Sequence, residues 1–98
     1  MFDMEHLIDT QWGIPMVIEP GNLPFDLDAP TIFTADGLVQ IGPSRSDFWS
    51  RRGDRRIFLE MAQQIWYIID LTEDRLYVEK VSHPEGVFIV KCIYEPID

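Results

Sequence analysis

Residues 65–95 read IWYIIDLTEDRLYVEKVSHPEGVFIVKCIYE, and how this stretch divides settles the class of fold. IWYIIDL, RLYVEKV and VFIVKCIYE are rich in Ile, Val, Tyr, Phe and Trp, the residues that fit a pleated, half-buried surface. Thr72-Glu73-Asp74 and Ser82-His83-Pro84-Glu85-Gly86 separate them with turn chemistry, so the reading is an antiparallel meander. In the last run Phe88, Val90, Cys92 and Tyr94 point one way, and Val87, Ile89 and Ile93 the other, beside Lys91. Apolar residues on both faces imply a central strand or a covered sheet.

Upstream, TIFTADGLVQIG (31–42) repeats the pattern on a smaller scale. Two β-prone runs flank Asp36-Gly37, a pair that tolerates the positive φ angles of a two-residue type I′ turn, so strands are expected at 31–35 and 38–41. RRIFLEMAQQ is ambiguous. Its Leu, Glu, Met and Gln favour a helix that Asp54 could cap, yet Ile57, Leu59 and Met61 alternate at strand period. The alternation favours a strand over 55–61, with Ala62, Gln63 and Gln64 turning. The helical turn is then expected at 44–52, where Ser44-Arg45-Ser46-Asp47 has capping-box form.

At the N-terminal end a short helix is expected over 2–12, with Met4, Leu7, Ile8 and Trp12 on one side. From 13 to 30 the chain carries Pro15, Pro20, Pro24 and Pro30, which exclude long helices and central strands. This segment reads as an extended arm with a short strand at Met16, Val17 and Ile18, pinned to the core by Leu23, Phe25 and Leu27. The whole is an α+β class fold: one domain over 1–98, mainly antiparallel β-sheet, hairpin plus C-terminal meander, with one or two short helices. At 98 residues and 46% hydrophobic content, one core is affordable and a second domain is not expected.

The net charge is −9, but unevenly placed. Residues 1–44 hold seven acids and no Lys or Arg, 45–56 hold five Arg and two Asp, and 57–98 hold eight acids and three bases, giving −7, +3 and −5. Such a body repels free nucleic acid, whose sequence-independent affinity comes from cations on phosphate, and attracts a basic protein. No apolar run approaches the ~20 residues of a membrane span. The early acids Asp3, Glu5 and Asp9 do not suit a secretory signal, and the single Cys92 cannot pair internally, so a cytoplasmic location is expected.

Chemical motifs are sparse. His6, His83 and Cys92 lack metal-closing spacing, and Cys92 in a buried β run lacks whatever would lower its pKa for nucleophilic work. The carboxylate pairs Asp26/Asp28, Glu73/Asp74 and Asp3/Glu5 fall in turns or arms and read as solvated surface. Phosphate-binding glycine loops are missing. No catalytic residue, metal or cofactor is therefore expected, and the chain is read as a non-enzyme.

Five of the eight basic residues, Arg45, Arg51, Arg52, Arg55 and Arg56, crowd beside Phe48 and Trp49. Guanidinium forks suit carboxylate or phosphate and stack on aromatic faces. An internal ion-pair cluster, an idle polar turn and a partner contact all fit that composition. The expectation is an acidic interaction protein of the inhibitor or immunity type, toxin-neutralising or phage anti-defence. Asp26, Asp28, Asp36, Glu73 and Asp74 would cover a basic partner, for instance a nuclease or a nucleic-acid-binding complex. Arg45, Trp49, Arg51, Arg52, Arg55 and Arg56 would add complementary contacts. The alternatives are a structural subunit or adaptor in a homodimer or larger assembly, and an anion-binding domain.

Overall fold

The computed structural model describes residues 4–21 and 29–97. Within them the chain forms Met16–Pro20 (β1), Thr31–Phe33 (β2), Leu38–Ile41 (β3), Arg45–Arg51 (β4), Arg56–Leu59 (β5), Gln64–Thr72 (β6), Arg75–Ser82 (β7) and Phe88–Tyr94 (β8). These make one antiparallel sheet in the order β1-β8-β7-β6-β5-β4-β3-β2. Every connection from β2 to β8 joins neighbours, so the fold is a long meander with β1 added beside β8.

The sheet curls because its two ends share a bridging segment. Trp12 pairs with Thr31 of β2 and also with Pro96 just past β8, while Ile8 pairs with Phe33. Gly13 N–H donates to Glu95 O at 2.7 Å, and Ile97 N–H to Gln11 O at 2.8 Å. Inside the curl lie Leu7, Trp12, Phe33, Val39, Ile57, Leu59, Trp66, Ile68, Leu76, Val78, Val90, Cys92 and Tyr94. Phe33 meets Trp49 and Trp66 edge-on, each with centroids 5.7 Å apart. Each such side chain removed from water contributes about 1.5–3 kcal/mol before conformational entropy is charged.

Opposite Lys80 and Val81 the last strand carries one extra residue, Ile89, so Val90 faces inward with Lys80 while Phe88 faces outward with Val81, and the common facing expected of Phe88, Val90, Cys92 and Tyr94 breaks there. Val81 and Phe58 reach the outer face by ordinary strand alternation, each opposite Ile65, and are buried there, where Phe58 meets His83 edge-on at 5.1 Å. The meander, the β2–β3 hairpin, the short strand at 16–18 and the strand in RRIFLEMAQQ agree with their patterns.

Several expectations do not hold. Among the described residues the only helical element is a 3-10 turn at Met4–His6, so the α+β label gives way to a nearly all-β sheet. The rest of the expected N-terminal helix is irregular, with turns at Leu7 and Asp9 (φ +62°), because Ile8 and Trp12 are drawn into pairing at the sheet's ends; Phe2 lies outside the described residues. The helical turn expected at 44–52 is strand β4. Its outward Ser46, Phe48 and Ser50 alternate with inward Asp47 and Trp49, and the Asp47 carboxylate serves a neighbouring turn instead of capping a helix. The β2–β3 turn is also not of type I′: Gly37 alone carries a positive φ, +91°, while its N–H closes on Thr34 O at 3.2 Å. That is the three-residue hairpin loop ending in a left-handed glycine. Leu23, Phe25 and Leu27 of the arm lie outside the described residues.

No helix among the described residues is long and apolar enough to cross a membrane.

Candidate interaction site

Turns that follow β2, β4 and β6 emerge at the same end of the sheet, since alternate connections of a meander share an end. They carry, in order, Asp36, the arginine cluster, and Glu73 with Asp74. The charged residues singled out from the sequence are thus mostly gathered on one rim.

The cluster is the β4–β5 hairpin tip. Arg52 N–H donates to Arg56 O at 2.8 Å, and Gly53 supplies the turn with φ +90°, a conformation costly for any residue with a side chain. Arg51, Arg52, Arg55 and Arg56 are all exposed around it. Three of them use Nε to brace the tip: Arg51 to Gly53 O at 2.9 Å, Arg52 to Ser50 Oγ at 3.4 Å, and Arg56 to Arg52 O at 3.1 Å. The guanidinium of Arg52 also lies 4.6 Å over the Phe58 ring. The Asp54 carboxylate lies 3.6 Å from Arg51, and that pair is solvent-exposed and worth little. Arg51, Arg52 and Arg56 are therefore exposed and oriented through Nε, with the Arg56 guanidinium lying over Gly53 and that of Arg51 reaching toward Asp54.

Arg45 does not join them. It opens β4 opposite Ile41, six residues and ~20 Å of strand away from Arg51, beside a depression lined by Ser44, Ser46, Met61 and Ala62. Trp49 is half-buried: its indole N–H donates to Thr34 O at 2.9 Å and its ring rests on Phe33, so it supports the rim more than it offers itself. Asp36 is exposed and accepts a hydrogen bond from Thr34 Oγ1. Asp26 and Asp28 lie outside the described residues.

Glu73 and Asp74 form the two-residue β6–β7 turn and share an open depression with Glu95 and Pro96. Glu95 is a residue that composition does not single out. Extending the β7–β8 register past Leu76↔Tyr94 would have found it, because that register carries residue 95 alongside the turn.

His83 and Cys92 are not partners. Cys92 points inward opposite Val78, and His83 lies five residues farther along β7's direction, ~17 Å at strand spacing, packed on Phe58. Burial pushes the Cys92 thiol above its ordinary value, partly offset by the Lys80 charge and a hydrogen bond with Tyr94. The folded state thus favours the neutral thiol, and its contribution to stability is complete below the unfolded pKa, ~8.5, and lost as pH rises through the higher folded value. The stability gap between wild type and Cys92→Ala is accordingly expected to narrow between pH 8 and pH 10.5 in urea titrations; a constant gap would contradict the assignment. Among the described residues no three His, Cys, Asp or Glu gather to hold a metal ion.

Comparison with family models, curated proteins and solved structures finds no match, so function is argued from this geometry alone.

Proposed function

We propose that the chain is a non-catalytic acidic protein-binding module of the inhibitor or immunity type, which covers a basic surface of a protein partner. The observation that carries the reading is the rim. Glu73, Asp74 and Glu95 stand exposed there, and Arg51, Arg52 and Arg56 face solvent from a braced hairpin at the same end. Carboxylates would meet the partner's cations, and the arginine tip would fix register against an anionic group, the division of labour expected of electrostatically steered interfaces. A nuclease or other nucleic-acid-binding protein offers the required basic surface. Nucleic acid itself is not the partner on this reading, and neither a membrane nor a cofactor is involved.

The test begins with capture of the partner from the native host, followed by calorimetry with the purified pair. Affinity is expected to fall at least about tenfold between 50 and 300 mM salt, and Glu73→Gln with Asp74→Asn should slow association. Changing Arg51, Arg52, Arg55 and Arg56 to Ala should weaken binding further. Salt-insensitive affinity would defeat the reading.

A second reading has one observation in its favour. β1 is an edge strand whose five residues are all exposed, with Met16 58% and Ile18 46% accessible, next to exposed Ile14. Such an edge suits strand addition by another copy in a structural assembly. Light scattering on the same samples separates the two, because a stable two-chain species indifferent to salt favours assembly through β1.

A further inference from the structure

The outward face of β3–β6 has a composition that the rim alone does not explain. Directly opposed residues of antiparallel neighbours share a face. Leu38 opposes Phe48, Ser50 opposes Phe58, and Arg56 opposes Tyr67. Leu38, Phe48 and Tyr67 are 41%, 51% and 40% exposed, while their inward neighbours Val39, Asp47 and Trp66 are buried. Arg52 joins this face through its stacking on Phe58. The surface is therefore an aromatic and aliphatic strip bordered by two guanidinium groups. Aromatic side chains and Arg are the residues enriched where interfaces concentrate their energy.

Charge decides what could sit there. Asp54 and Glu60 lie at the two ends of the strip, and Glu79, across from Tyr67, is paired with Lys91 at 3.8 Å. The middle is cationic and apolar within a body of net −9. Three strand spacings separate β3 from β6, ~14 Å, which exceeds the Debye length of ~8 Å at physiological salt. A short anionic segment confined to the strip thus feels Arg52 and Arg56 more than the acidic body. A nucleic-acid strand, carrying charge at every residue and running past the edges, meets repulsion outside it.

We propose that this face receives an acidic segment of the partner protein, its carboxylates on Arg52 and Arg56 and an apolar side chain against Phe48 and Leu38. The proposal rests on the protein-binding reading and names a second contact within it: a partner whose basic surface is accompanied by an acidic, apolar-anchored segment. Because Nε of each arginine is already engaged, the forks are oriented before binding and less side-chain freedom is lost on contact.

The test is amide chemical-shift mapping of the full chain with three probes. These are a short peptide of alternating glutamate and leucine with one central tryptophan, the same peptide with lysine for glutamate, and oligo(dT). The glutamate peptide is expected to shift Leu38, Phe48, Arg52, Phe58, Arg56 and Tyr67. Phe48→Ser, and separately Arg52→Ala with Arg56→Ala, should each weaken it at least about tenfold without changing the melting temperature by more than a few degrees. No saturable shifts on this face would overturn the proposal, as would equal binding of the lysine peptide there or tighter binding of oligo(dT). Its failure is separable from that of the rim reading, which stands or falls on the salt dependence of the native complex and on Glu73 and Asp74.

Discussion

Asp47→Ala is expected to lower stability by about 3–4 kcal/mol, the largest loss from any single side chain outside the aromatic core. Asp47 is 5% exposed, and its carboxylate accepts three backbone N–H groups. Oδ1 takes Phe48 and Met61, each at 2.7 Å, and Oδ2 takes Ala62 at 2.9 Å. The last two belong to the β5–β6 turn, where residue Gln63 is held at φ +54°. Hydrogen bonds to a charged acceptor contribute about 1.5–3 kcal/mol each, and donors left buried without one cost comparably; some recovery by water brings the sum down. Asp47→Asn keeps one acceptor oxygen but sets an amide N–H₂ against either the Ala62 donor or the Met61 and Phe48 pair, so about half the loss is expected. Urea midpoints at pH 7 measure both. Losses under about 1 kcal/mol for Asp47→Ala would show that the turn holds itself. Against a typical domain stability of ~5–15 kcal/mol, the expected effect decides whether the chain stays folded at elevated temperature.

Lys80, within the aromatic core, should give an effect of comparable size, and the contrast between two replacements is more telling than either value. It faces the interior of β7 opposite Trp66 and Val90 and is 5% exposed. Its ammonium donates to Tyr94 Oη at 2.5 Å and sits 4.0 Å from the Trp66 ring centroid and 5.0 Å from that of Tyr94. The two rings stack at 5.8 Å, so the aliphatic stem and the charge both belong to the core packing. Lys80→Ala removes stem, charge and donor together, and a loss of about 3–5 kcal/mol is expected from the cavity and the forfeited cation–π contact. Lys80→Met keeps the volume and relieves the desolvation of the ammonium, which often outweighs what a buried charge gains, so it should lie within about 1–2 kcal/mol of wild type. Equal losses in the two variants would mean that the charge itself, and not the packing, is what the site requires.

The legibility of the fold divides along physical lines. Strand period, β-branched and aromatic content, and turn residues are local quantities, and they located β2, β3 and β5 to β8 within a few residues of where the chain forms them. β4 was hidden because Ser44 to Asp47 carries a helix-start signal as short as the four residues that make it. Its strand identity is settled by Asp47 meeting the amides of residues 61 and 62, fourteen and more positions away. The N-terminal segment failed similarly: Leu7 and Trp12 have apolar spacing that suits a helix, while their burial comes from closing the gap between β2 and the end of β8.

The arginine block and the acidic turn at Glu73 and Asp74 could be named from the sequence because charge density is visible in one dimension. Composition alone fixed a small, acidic, β-rich domain with a concentrated cationic stretch. Only the tertiary structure set the orientation of each charge. It separated Arg45 from the other four, carried Glu95 to the acidic turn, buried Lys80 and Asp47, and left Phe48 and Leu38 in the open. The reason is that a residue's face is determined by strand parity and register together, and a single bulge, such as the one at Ile89 opposite Lys80 and Val81, reverses it for everything beyond.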